Sequence, residues 1–242
     1  MDVLKGWLPH LDVLRWHLVR MLAAWLVAGV LVFWQGDTVL QALRGPLLAA
    51  APQALLLTTG VTELFGAYLR LAVWGGALLA LPYWLWEVWR FIRPALYVHE
   101  RKVVAAMLWA VPLLTLAGVL FGWFVMLPPI LGFFLGFDAD GVASLPRLAD
   151  YIALLCSLLG LMGLAFNLPL ALVGLVRMGL VRVETLQKQR RMVIVGVFIV
   201  AAMATPPDPL SQMMLAIPLW LLFEVALLFG KAHDPKGAPT AE

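Results

Sequence analysis

Six apolar runs separated by clusters of charge organise this chain, at about 18–34, 69–89, 103–127, 151–176, 192–204 and 213–229. The third ends where Pro128 and Pro129 interrupt it. The first four have the length of membrane spans, since about 20 residues cross a hydrocarbon layer of roughly 30 Å. The last two are short. At about 1.5 Å per residue the fifth reaches only about 20 Å. Runs five and six are therefore expected to form a shallow hairpin whose turn, TPPDPLSQ, lies within or just under the far headgroup layer. Bilayer thinning or packing against longer helices relieves such a mismatch. The alternative is that the two short runs form one broken re-entrant element.

Composition points the same way. Of 242 residues, 63% are hydrophobic and 13% charged, and the mean hydropathy is +0.94. A soluble core cannot use so much apolar surface. An all-α membrane protein with six transmembrane helices, the last two short, is the expected fold class. The whole chain, 1–242, is expected to form one integral membrane domain, with 231–242 as a disordered tail. Cys156 is the single cysteine, so no disulfide forms within the chain. The first apolar run continues to spanning length without a small-residue cleavage pattern, so no cleavable signal is expected. No internal repeat is visible.

Charge sets the expected orientation. Lys and Arg gather on the cytoplasmic side of a membrane protein. Alternate loops hold Lys5, Arg15 and Arg20, then Arg90, Arg93, Arg101 and Lys102, then Arg177, Arg182, Lys188, Arg190 and Arg191, then Lys231 and Lys236. Only Arg44, Arg70 and Arg147 fall on the other side. Both termini are therefore expected to be cytoplasmic. The net charge of +3 reflects this orientation rather than nucleic-acid binding. The opposite face carries two longer connections, 35–68 and 128–150, each long enough for a helix of its own. Trp and Tyr read as interfacial belt residues.

Chemistry is sparse. His10, His17, His99 and His233 lie in loops or tails without metal-ligand spacing, and no Ser or Cys stands beside a base. Neither an enzyme nor a cofactor is expected. A secondary transporter or channel needs paired ionisable residues at midplane and repeated halves. This chain offers the amide Asn167 in the fourth run, followed by Pro169. Glu87 and Glu224 lie near the ends of runs two and six and read mainly as structural or interfacial, Glu87 having Arg90 three residues on as a helix-face partner. Leu11, Leu14 and Leu18 recur at helical spacing, so HLDVLRWHL reads as an amphipathic turn before the first span. Asp208, ahead of Pro209, suits chain reversal and helix initiation.

The order of these landmarks is specific. HLDVLRWHL precedes run one; LPYWLWEVWRFIRPALYVHERK joins runs two and three; LMGLAFNLPLALVGL lies in run four; RRMVIVGVFIVAAMATPPDPLSQMMLAIPLWLLFE covers runs five and six. From about His10 to Gly230 the chain resembles the TatC family, the multispanning subunits of the twin-arginine, Sec-independent protein translocase. The resemblance implies a curved, glove-like arrangement of six helices in the bacterial inner membrane. It implies binding of twin-arginine signal peptides of folded precursors on the cytoplasmic face, and assembly with TatA/TatB-type single-span proteins, as a homo-oligomer within a larger complex. The proton-motive force enters by the same resemblance. A protein that keeps the assembly role without signal recognition is the alternative within the family.

Two guanidinium groups are best met by carboxylates that accept paired hydrogen bonds. Glu100 falls on the family's acidic signal-binding position, in a loop where Pro94 fixes the chain after Phe91 and Tyr97 is an interfacial anchor. The plainer account is that Glu100 neutralises Arg93 or Arg101. In the N-terminal element the family pattern is HLxELRxR; here Leu14 and Arg15 match, Val13 stands where a Glu is usual, and His17 where a second Arg is common. Asp12 is the nearest acid, displaced by about 100° around a helix. The signal-binding set implied is thus Glu100, Phe91, Tyr97, Asp12, Leu14 and Arg15. Asn167 replaces a common family Glu, and with Thr205 and Gln212 it is implied to meet the TatA or TatB helix. The plainer account is that these three satisfy one another or the backbone freed by Pro169, Pro206 and Pro207. Pro94, Pro206, Pro207 and Asp208 are assigned to turns.

Overall fold

The computed structural model describes residues 2–50, 56–136, 146–178, 181–204 and 208–232, and describes side chains at 13–49, 56–94, 96–97, 101–136, 146–178, 181–203 and 208–231. Thr205, Pro206 and Pro207 lie outside the described residues, as does 233–242. Every element described is helical apart from a single bridge between Leu57 and Arg147.

α1 spans Asp2–Trp34, α2 Gly36–Leu43, α3 Gly45–Ala50 and α4 Glu63–Ile92. HLDVLRWHL is not a separate turn, because nothing from His10 to Ala28 is Gly or Pro and the helix runs straight into the first span. α4, at 30 residues, is about 45 Å long and overreaches the hydrocarbon layer at its ends. A 3-10 turn, Arg93–Ala95, with Pro94 in its first positions, leads into α5, Val98–Phe121.

The third span does not stop at Pro128. After α5 a π-helical turn, Gly122–Met126, leads directly into α6, Leu127–Leu135, and the apolar helix runs from Arg101 to Leu135. The prolines occupy the first turn of α6, where no intrahelical N–H is required. α7, Leu148–Ala165, and α8, Leu168–Arg177, form one spanning rod with a break at Phe166 and Asn167. α9 is Val183–Lys188, α10 Arg190–Ala204 and α11 Pro209–Ala232. Among the described residues five helices are long and apolar enough to cross a membrane, and α10, with 15 residues, is the short fifth segment. α11 is longer than its apolar run, with 24 residues, because PLSQ joins its start and Lys231 and Ala232 continue its end.

The chain divides into two compact units. One comprises Met1–Gly45, Leu56–Pro112 and Arg147–Ala153; the other Pro46–Leu55, Leu113–Pro146 and Leu154–Glu242. In the first, α1 lies along α4 with almost no space at Gly29 and Gly76, where a methyl group on Gly76 would stand 2.8 Å from Gly29 Cα. Two indoles stitch the pair: Trp25 Nε1 donates to the Val73 carbonyl at 3.0 Å and Trp84 Nε1 to the Met21 carbonyl at 2.8 Å. These two Trp side chains serve the helix pair through their N–H groups. At the far end of α4, Glu63 accepts from the Thr59 and Ala149 amides at 2.6 and 3.0 Å, and Arg147 reaches the Thr59 hydroxyl at 2.6 Å. These bonds tie the start of α4 to the start of α7.

In the second unit α5 and α7 also meet at glycine. A methyl on Gly118 would collide with the Met162 carbonyl, and Gly163 faces Thr115. α11 packs against α8, α9 and α10, burying Val176, Val183, Phe223 and Leu227 together. Close approach through small residues suits lipid, where packing rather than water exclusion holds helices together.

Candidate functional site

Of the sequence-predicted signal-binding residues, Phe91, Tyr97 and Glu100 stand where α4 passes into α5, and Asp12, Leu14 and Arg15 lie on α1. Phe91, in the last turn of α4, is 38% exposed. The 3-10 turn closes with Leu96 N–H on the Arg93 carbonyl, Leu96 is extended, and Arg101 Nε donates to the Leu96 carbonyl at 3.2 Å. Arg101 is thereby committed to holding the loop. Tyr97, 73% exposed, precedes the first turn of α5, whose third residue is Glu100. The Glu100 and Asp12 side chains lie outside those described. Leu14 is half-buried and Arg15 exposed on α1.

Sequence reasoning named Glu87 at this end but not the His17 and Tyr83 partners that hold it. Glu87 is 1% exposed, yet its helix neighbour Arg90 comes only to 3.7 Å of Oε1. The main partners are others: His17 Nδ1, from α1, donates to Oε2 at 2.5 Å, and Tyr83 O–H donates to Oε1 at 2.9 Å. Arg20 stands 3.9 Å from Oε2. A buried carboxylate needs both hydrogen bonds and neighbouring cations, and this one has two of each. His17 is itself buried, and its ring meets Phe91 edge-on with centroids 5.7 Å apart. Tyr83, Glu87 and Phe91 follow at four-residue spacing, so one face of α4 grips His17. The available signal was the one acid within the apolar run 69–89, which demands a partner from elsewhere in the fold.

The second candidate region is in the other unit. Asn167, at the break between α7 and α8, donates from Nδ2 to Thr115 Oγ1 at 2.9 Å and to the Gly163 carbonyl at 2.8 Å. Its Oδ1 is buried without a hydrogen-bond partner. Gln212 donates instead to the Phe198 carbonyl at 3.0 Å, so the two amides find separate partners. Gln212 closes an open apolar groove of about 320 Å³ lined by Ile194, Val195, Phe198, Ile199 and Ala202. Asp208 Oδ2 accepts from the Ser211 amide at 2.7 Å and caps α11. Glu224 pairs with Arg190 at 2.8 Å, joining α11 to α10. Among the described residues no group of three His, Cys, Asp or Glu side chains stands close enough to hold a metal ion.

Comparison with known proteins agrees with this architecture. The family model for the Sec-independent protein translocase protein TatC matches residues 9–218. The TatC protein of Azotobacter chroococcum mcd 1 is 36% identical over 233 residues, covering 96% of this chain and 91% of its own length. That of Escherichia coli K12 is 34% identical over 231 residues, covering 95% and 90%. A crystal structure of the twin-arginine translocase receptor TatC superposes with a TM-score of 0.83 at 33% identity, over 93% of this chain and 99% of that one. By its family model, its relatives and its fold, this chain belongs to the TatC family of Sec-independent protein translocase proteins.

Proposed function

We propose that this TatC-family chain is the receptor subunit of a twin-arginine translocase, with both termini cytoplasmic in a bacterial inner membrane. Its signal-binding surface is the α4–α5 connection with the start of α1. Glu100 pairs with a signal guanidinium, Phe91 and Tyr97 offer the apolar and aromatic contact beside it, and Asp12, Leu14 and Arg15 complete the surface from α1. The observation that carries this reading is the loop itself. Arg101 is tied back to the Leu96 carbonyl, and exposed aromatic side chains stand on both sides of the turn. With Val13 in place of a carboxylate, Glu100 bears most of the arginine recognition.

The test is site-specific crosslinking from position 100 to a precursor whose signal carries either Arg-Arg or Lys-Lys. Crosslinking to the Arg-Arg signal alone supports the reading, and equal crosslinking of both defeats it.

Partner assembly is the second part of the proposal. Asn167, Thr205 and Gln212 contact a TatA/TatB-type single-span helix. The buried, unpartnered Asn167 Oδ1 favours this, because an amide oxygen in lipid gains from any donor brought to it. The assembly contains more than one copy of the chain and exports folded proteins at the expense of the proton-motive force.

A further inference from the structure

The Glu87 and His17 pair has a place in this fold that neither charge balance nor helix packing requires. Glu87 would be neutralised by Arg20 and Arg90, both half-exposed and free to close the remaining distance from 3.9 and 3.7 Å. The α1–α4 pair is already stitched by Trp25, Trp84 and the Gly29 and Gly76 contact. What the pair adds is the placement of one ring. His17 is tethered at Nδ1 and meets Phe91 edge-on. Phe91, in the last turn of a helix, is 38% exposed, and the edge-on imidazole restricts where its ring can lie. Tyr83 holds the second carboxylate oxygen, so Glu87 cannot swing away from His17.

We infer that Glu87 is a positioning residue for signal recognition: through His17 it fixes the Phe91 ring at the binding surface. This rests on the signal-binding function proposed above. Glu87, being buried, touches no signal residue itself. Its effect runs from carboxylate to imidazole to phenyl ring, and each step is one contact.

The experiment uses the full chain in lipid nanodiscs and a fluorescent twin-arginine signal peptide, with its Lys-Lys counterpart as control. The variants are Glu87→Gln, which keeps the volume, His17→Phe, which keeps a ring but loses the tether, and the two combined. Either single substitution is expected to weaken Arg-Arg peptide binding about tenfold, the size of one lost charge-assisted hydrogen bond. The combined variant is expected to lose no more than either alone. A fluorine label on the Phe91 ring is expected to change its NMR shift in both variants before any peptide is added. Wild-type binding by either single variant, additive losses, or an unmoved fluorine signal overturns the inference while leaving the receptor function standing. Equal binding of both peptides by the wild-type chain overturns the receptor function and this inference with it. A Glu87 needed only for folding would lower the melting temperature and leave the peptide affinity of the folded protein unchanged, which also overturns it.

Discussion

Gly76 faces Gly29 across the α1–α4 crossing at a separation that leaves no room for one added carbon: a Cβ on Gly76 would lie 2.8 Å from both the nitrogen and the Cα of Gly29. Backbone atoms cannot yield as a flexible side chain does. Gly76→Val is therefore expected to force the helices apart and destabilise the protein by about 1–3 kcal/mol. Thermal unfolding in detergent, compared with Gly66→Ala, where a Cβ meets open space, would measure it. An unchanged melting temperature for Gly76→Val would show that the crossing is looser than the structure has it.

The Asn167 amide distinguishes loss of a partner from loss of a polar group. Thr115→Val strips one acceptor from Nδ2 and is expected to cost about 0.6 kcal/mol, the average for hydrogen bonds between membrane helices, and at most about 1.7 kcal/mol. Asn167→Leu removes the donor together with the orphaned Oδ1, so its net effect on stability is expected to be smaller. The same variant is expected to reduce copurification with a TatA/TatB-type protein. Undiminished copurification would leave Asn167 with a purely internal role.

Glu63 ties two connections with one carboxylate, taking the Thr59, Gly60 and Ala149 amides. Glu63→Ala is expected to free the approach to α4 and the start of α7 together. Limited proteolysis would report faster cleavage near 56–62, with the transmembrane helices still protected. Cleavage at the wild-type rate would mean that Arg147 on Thr59 suffices alone.

Glu100→Arg reverses charge in the first turn of α5 beside Arg101 and Lys102. Export of twin-arginine precursors is expected to be abolished while the variant still inserts in the membrane at normal abundance. Normal export would show that this acid is dispensable for arginine recognition.

Much of the fold was legible because lipid imposes a simple rule on sequence: a segment that crosses must be apolar and helical for its whole length. That rule marked out the apolar segments that the structure shows as helices, with α10 the short one at 15 residues. Its errors lie where the backbone, rather than hydropathy, decides. Pro128 and Pro129 read as a stop, but a π-helical turn ahead of them puts both prolines where their missing N–H groups cost nothing. Ser211 and Gln212 read as turn, but Asp208 caps the helix early enough to include them.

The candidate site divides in the same way. The apolar helical architecture, the family, and the one acid between Phe91 and Lys102 are legible in the sequence alone, because these are properties of contiguous residues, although the true connection is only Arg93 to Tyr97. It takes the packing of α1 against α4 to bring His17 to Glu87, a residue 70 positions away, while Arg90, three positions away, stands at 3.7 Å. Spacing along one helix measures proximity only on that helix. A buried carboxylate takes donors from its own helix face, here Tyr83, and from the neighbouring helix, here His17, and that neighbour is set by the packing of glycine against glycine farther along the same pair.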